Sequence, residues 1–329
     1  MSDHAPEAGP TSQGRSFADV FASICDNISR VIRGKDDIVE LTVLCLVADG
    51  HLLLEDVPGV GKTSLAKALA RSVDGAFGRV QFTPDLLPSD VVGTSVWNQH
   101  QASFDFRAGP IFANILLADE INRASPKTQS ALLEAMAEEQ VTVDGTTRTL
   151  ARPFMVMATQ NPLEHQGTYP LPESQLDRFL MKLSIGYPAR GDEADILAAD
   201  GERSALDAIG PVVTASQVVA MSEHCRKIHV SAALSTYLID LAAATRSHRY
   251  LALGMSPRST LGLQRAIRVR AAARGRRHAT PDDVKSIAHH VLVHRLVVHP
   301  EAHVQSIDAA TVLDDVLRSV PVPADVHLA

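Results

Sequence analysis

Asp56-Val57-Pro58-Gly59-Val60-Gly61-Lys62-Thr63 is the stretch on which the fold turns. The run before it, His51-Leu52-Leu53-Leu54, is short and apolar and reads as a buried strand. After it, over 63–73, Leu65, Leu69 and Val73 recur every four residues, as one face of a helix does. A glycine-rich turn between strand and helix, closing on Lys-Thr, is the context a phosphate-binding loop requires. Gly59 and Gly61 let backbone amides turn towards an anion, and the helix N-terminus adds its amides and dipole. Pro58, Val60 and Ser64 complete the expected loop. Lys62 is expected to reach terminal phosphates, and the Thr63 hydroxyl to hold a metal ion. The consensus begins with Gly, but position 56 is Asp, and its side chain is expected to restrict the backbone there. The competing reading is an ordinary glycine-rich turn.

Working outward, strand signals recur at 80–82, 115–118, 154–158 and 179–185, with helical patterns between several of them. Ahead of the loop, Phe17, Val20, Phe21, Ile24, Ile28 and Val31 mark a helix over 17–32, and a second follows over 35–48. Strands alternating with helices predict an α/β fold, a parallel sheet sandwiched by helices. Two segments interrupt that pattern. Residues 141–150 alternate and turn at Asp144-Gly145, a hairpin signal, and 94–112 contains Ser103-Phe104-Asp105-Phe106-Arg107, a second candidate hairpin. Beyond Tyr187-Pro188 the strand signals stop and helices with polar connectors follow. Thr280-Pro281-Asp282-Asp283 is a helix start, with a capping Thr, Pro in the first turn and acids facing the dipole. The expected organisation is a disordered tail over 1–16, a phosphate-binding core over 17–189 and an all-helical lid domain over 190–329.

Two further elements give the phosphate loop its chemistry. Ile115-Leu116-Leu117-Ala118-Asp119-Glu120 is an apolar strand ending in two carboxylates. Downstream of a phosphate loop, such a strand reads as a Walker B element, with Asp119 on Mg2+ and Glu120 orienting the attacking water. Ala158-Thr159-Gln160-Asn161-Pro162 ends another strand in polar residues. Asn161 there can contact the γ-phosphate or the water; standing alone it would read as a turn Asn before Pro. The three elements predict binding and hydrolysis of ATP with Mg2+.

Composition narrows the setting. The 329 residues carry a formal net charge of −7, which argues against nucleic acid as the main partner. The three cysteines form no Cys-x-x-Cys pair and read as reduced thiols. Residues 1–15 lack an apolar signal region, and the longest apolar run, 41–48, is far shorter than the about 20 residues a spanning helix needs. A cytoplasmic protein is expected, with attachment to a membrane through a partner left open.

With these elements in place, the wording resembles the MoxR family of AAA+ ATPases. The resemblance runs over roughly 17–300 and rests on several motifs in order. They are 54–63 with its acidic first loop position, Gln81-Phe82-Thr83-Pro84-Asp85, Ala118-Asp119-Glu120-Ile121-Asn122-Arg123-Ala124, Gly167-Thr168-Tyr169-Pro170-Leu171-Pro172-Glu173 and Gln175-Leu176-Asp177-Arg178-Phe179. It implies an AAA+ core with inserted hairpins and a helical lid, assembling as a homo-oligomeric ring, commonly a hexamer, with ATP between neighbours. Arg178 would be the arginine finger reaching the next subunit; otherwise it pairs with Asp177 or Glu173. Met255-Ser256-Pro257-Arg258-Ser259 looks like the sensor 2 segment, with Arg258 on the γ-phosphate of its own or a neighbouring site. Arg123 is either an intersubunit residue or a surface arginine. Trp97, Phe104 and Phe106 on the first hairpin would face the ring channel or a partner, unless they pack on their own core.

The family implies chaperone-like remodelling or maturation of protein complexes, with partners that carry von Willebrand factor A domains. A magnesium-chelatase-like motor subunit and a nucleic-acid-dependent translocase are the alternatives, and a nucleotide-gated binding module that barely turns over is a third. Six arginines between 265 and 277 read as a solvated helix face or an intersubunit surface. His289, His290 and His294 lack the companions of a metal site.

Overall fold

The computed structural model describes residues 14–161, 168–198 and 202–323. Residues 1–13 of the expected tail, Pro162 and Gly167 of the quoted motifs, and 324–329 of the expected lid lie outside the described residues.

Helices α1 (Phe17–Ser29) and α2 (Asp36–Val47) precede β1 (Leu52–Glu55), and the phosphate loop leads into α3 (Lys62–Ser72). There follow β2 (Phe77–Gln81), α4 (Pro88–Val92), the hairpin β3 (Gly93–Asn98) and β4 (Ser103–Ala108), β5 (Ile115–Asp119) and α5 (Pro126–Glu138). A second hairpin, β6 (Gln140–Val143) and β7 (Thr146–Thr149), precedes β8 (Met155–Gln160), α6 (Glu173–Leu176) and β9 (Met181–Leu183). Then come α7 (Arg190–Ala198), α8 (Glu202–Asp207), α9 (Ala215–Arg226), α10 (Ala232–Arg246), β10 (Leu251–Leu253), α11 (Pro257–Ala273), α12 (Pro281–Leu292), β11 (Val297–Val298), α13 (Pro300–Val304) and α14 (Ala309–Ser319).

The central sheet is parallel throughout, in the order β2-β5-β8-β1-β9. Its side chains alternate between two cores. Leu52, Leu54, Ile115, Leu117, Met155 and Met157 face a cluster shared with α1, α2, α3 and the C-terminal helices. Leu53, Leu116, Ala118, Val156 and Ala158 face the cluster on α5. Both faces are covered, which is why these strands read as continuous apolar runs rather than alternating ones. Each of the leucine, isoleucine, valine and methionine side chains contributes about 1.5–3 kcal/mol by leaving water.

Local chemistry sets the helix starts. Ser16 accepts from Asp19 N at 3.2 Å while Asp19 accepts from Ser16 N at 3.1 Å, closing a capping box on α1. At α12, Asp283 accepts from Thr280 N at 2.8 Å. The turn Asp144-Gly145 has φ of 52° and 73°, the left-handed pair a two-residue hairpin demands. In the first hairpin Trp97 stands opposite Phe104, their rings edge to face at 5.1 Å. Phe106 instead packs on Phe112, and the Arg148 guanidinium of β7 lies 3.7 Å over its ring. Phe106 therefore joins the two hairpins, whereas Trp97 and Phe104 are exposed.

Two expectations change. The helical C-terminal region also carries an antiparallel ribbon, β10 with β11. Its strands of three and two residues are too short to show an alternating pattern. Part of the arginine run on and after α11 is committed to ion pairs, while Arg274 and Arg277 stay exposed. Arg270 and Arg274 reach Glu40 on α2 at 2.5 and 3.4 Å, and Arg276 reaches Asp283 on α12 at 2.6 Å. The pairs with Glu40 and the shared apolar cluster dock α11 on the N-terminal helices, while Arg276 ties its end to α12.

Candidate functional site

β1, β5 and β8 run side by side, so their C-terminal ends meet on one edge of the sheet. β1 ends in the phosphate loop, where Gly59 and Gly61 adopt φ of 86° and 91°. A side chain at either position would be strained, and a Cβ on Gly59 would point into open space. Gly61 caps α3 without a side chain, so no side-chain group occupies the amides of its first turn. Lys62 Nζ donates to the Asp56 carbonyl at 2.7 Å. Partial burial pulls the Lys62 pKa down, opposed by the carboxylates of Asp56, Asp119 and Glu120.

A cleft of about 270 Å³ opens over the loop. It brings Pro58, Gly59, Gly61, Lys62, Thr63 and Ser64 together with Asp119 and Glu120 from the end of β5 and Asn161 from the end of β8. Val60 is not in its lining and packs towards the core instead.

Three lining residues were given no role in the site by the sequence reading: Arg79, Gln81 and Thr159. Arg79 Nε lies 2.8 Å from Asp119 Oδ2, and Gln81 Nε2 donates to Glu120 Oε2 at 2.8 Å. Arg123 pairs with the same Glu120 oxygen at 2.9 Å, so it serves the site of its own chain in this structure. Glu120 has a φ of 55°, rare for a residue with a side chain. Its amide donates to Thr159 Oγ1 at 2.9 Å, which holds the turn. The available signal was positional. Arg79 and Gln81 alternate on the strand beside β5, and Gln81 is in register with Asp119.

Asp56 gains a role that the sequence reading did not give it. Its buried carboxylate accepts from Ile185 N, from Ser184 Oγ at 3.1 Å and from Gly186 N at 3.2 Å. The acid at the first loop position thus ties the phosphate loop to the chain leaving β9, and this bonding offsets the lost backbone freedom.

Arg178 and Arg258 do not line the cleft. Arg178 Nη1 donates to the Leu133 carbonyl at 3.0 Å, pairing with neither Asp177 nor Glu173 as the competing reading expected. Arg258 lies close enough to His51 and Arg295 to disfavour their protonation. His51 precedes β1, and Leu180 N donates to its carbonyl at 2.8 Å. Both arginine segments therefore sit at the opposite end of β1 from the phosphate loop. The histidines considered for a metal take separate partners: His289 meets Asp314 at 2.8 Å and His294 meets the Phe179 carbonyl at 3.1 Å.

The donor set fits a magnesium nucleotide. A lysine and an open helix N-terminus suit phosphates, while Thr63 and Asp119 offer oxygens to the hard cation. Together with the parallel sheet, these features define a P-loop ATPase core followed by a mainly helical domain. Residues 51–181 match the ATPase family associated with various cellular activities (AAA), and 243–316 match the AAA lid domain. The chain is 47% identical over 298 residues to the uncharacterized protein YeaC of Bacillus subtilis, covering 91% of this chain and 93% of that one. It is 42% identical over 305 residues to the chaperone MoxR1 of Mycobacterium tuberculosis, covering 90% and 80%. The crystal structure of a candidate ATPase from Cytophaga hutchinsonii superposes with a TM-score of 0.88 at 36% identity, over 93% of this chain and 96% of that one. The chain belongs to the MoxR family of AAA+ ATPases. Among the described residues no helix is long and apolar enough to cross a membrane.

Proposed function

We propose that this protein hydrolyses Mg-ATP at a site shared between subunits of a homo-oligomeric ring, commonly a hexamer, and uses the turnover to remodel or mature partner protein complexes. The observation that carries this reading is a separation. Lys62, Thr63, Asp119, Glu120 and Asn161 share one cleft, while Arg178 and Arg258 lie at the far end of β1. A head-to-tail contact between copies would bring one subunit's far edge to the next one's cleft, the geometry that generates rings.

In this reading Lys62 binds the terminal phosphates, and Thr63 and Asp119 hold Mg2+, which supplies charge neutralisation on the transferring group. Glu120 accepts the water's proton, and Asn161 orients that water. Glu120 must first exchange its bonds to Gln81 and Arg123. Arg178 and Arg258 act in trans. The domain division at residue 189 belongs to the same proposal, with 17–189 as ATPase core and 190–329 as lid, as do a cytoplasmic location and a partner carrying a von Willebrand factor A domain. The chaperone name of the MoxR1 relative supports the remodelling role. A magnesium-chelatase-like motor would use the same cleft and differ in its companion subunits. The net charge of −7 speaks against the translocase alternative.

The test is Mg-ATP hydrolysis per subunit across protein concentrations. Specific activity is expected to climb with assembly, and Arg178→Ala to reduce it by about 10³–10⁵. Undiminished activity at concentrations where the protein is monomeric would overturn the shared site.

A further inference from the structure

We propose that Asp177 is a positioning residue that fixes Arg178 and Arg258 as one unit, so that both arginines reach or leave a neighbouring site together. This rests on the reading of those arginines as trans-acting.

Asp177 is the residue before Arg178, and its carboxylate is bonded into the other arginine's helix. Oδ2 accepts from Ser256 Oγ at 2.9 Å, and Oδ1 accepts from Ser259 Oγ at 2.9 Å. These serines flank Arg258 in the first turn of α11. Ser256 Oγ also accepts from Ser259 N at 3.0 Å, so the hydroxyl that caps α11 is the one that donates to Asp177. Helix start and finger segment therefore share their hydrogen bonds.

Arg295 closes the unit from a third direction. It is 5% exposed, and its Nη1 lies 3.0 Å from Asp177 Oδ1. Its Nη2 donates to the Phe179 carbonyl at 2.6 Å, so one guanidinium grips the chain on both sides of Arg178. Packing gives the same answer independently. A Cβ on Gly262, one turn into α11, would come within 3.1 Å of Leu180 and 3.6 Å of the Arg295 guanidinium. The helix passes so close to this segment that a side chain there would press on Leu180. Motion of the first turn of α11 must carry residues 177–180 with it, or break the bonds from Ser256 and Ser259 to Asp177.

The test uses the full chain and complementation between subunits. Lys62→Ala subunits cannot turn over but retain both arginines. Asp177→Ala is expected to bind a fluorescent ATP analogue with affinity within about twofold of the parent and to lose about tenfold or more in kcat. Mixing it with Lys62→Ala subunits should restore turnover, because an intact neighbour then supplies the arginines. Ser256→Ala combined with Ser259→Ala keeps the Asp177–Arg295 pair and should give the same rescuable defect; it decides the matter if Asp177→Ala does not fold. Parental turnover in the folded variants, or a defect that Lys62→Ala subunits do not rescue, would overturn the coupling. Arg178→Ala and Arg258→Ala are the references. Full turnover in either overturns the trans reading and this proposal with it, whereas their failure beside an active Asp177→Ala overturns the coupling alone.

Discussion

The two ends of β1 both carry dense charge, and they use it differently. At the C-terminal end, Asp119 and Glu120 hold partners that are themselves on a cleft wall, Arg79 and Gln81, and Glu120 also pairs with Arg123 just beyond it. At the N-terminal end, Arg295 and His51 are buried and Asp177 is half-buried; Asp177 is held by Arg295 and two serines, Arg295 also by backbone, and His51 by backbone alone. The difference is one of access. Bonds on a cleft wall can be exchanged for bonds to a ligand, while buried ones are expensive to break and so fix geometry. One end is built to change partners, and the other is built to hold position.

Three substitutions would break or sharpen that contrast. The largest effect belongs to the open end. Glu120→Gln should reduce steady-state ATP turnover by about 10²–10⁴ while leaving nucleotide binding and thermal stability near the parent values. A large fall in the melting temperature would mean that the open end is structural after all.

The link between the ends comes next. Asp56→Ala leaves the Ile185 and Gly186 amides without their acceptor. Denaturant unfolding should show a loss of about 2–4 kcal/mol. A stable variant with faster turnover would instead support the view that the acid merely stiffens the loop.

The smallest effect lies at the sealed end and is read through pH. Val156 N donates to His51 Nδ1 at 3.0 Å, so Nε2 must carry the proton that meets the Met136 carbonyl at 3.0 Å. The buried ring is neutral, and desolvation pushes its pKa down to about 4. The sign follows from linkage. The unfolded chain takes up the proton near pH 6.5 and the folded chain does not, so this contribution is whole above pH 6.5 and is lost as pH falls towards 4. Between pH 7.5 and 5 the loss is about 2 kcal/mol. His51→Gln should flatten that part of the stability profile; an unchanged slope would show that His51 is protonated or solvated in the fold.

The legible parts were those written in short spacings. The glycines of the phosphate loop, the carboxylate pair ending β5, the Asp144-Gly145 turn and the Thr280 helix start each depend on residues a few positions apart. The strand periodicity was legible as well, and so was the parallel sheet, because burial on both faces imposes continuous apolar runs. The brief ribbon of β10 and β11 left no such trace.

By itself, then, the sequence determined the phosphate loop, the sheet that carries it and the identity of the acids beside it, because backbone conformation and hydrophobic burial act locally and repeat at fixed periods. Only the tertiary structure decided which charges would meet. Asp56 finds its partners 128–130 residues away, Asp177 finds its own 79–118 residues away, and Arg79 reaches Asp119 across 40. No local period encodes these pairs. They form because the parallel crossovers bring distant strand ends together, and because a buried carboxylate or guanidinium must be answered by whatever donor or acceptor the fold places within reach.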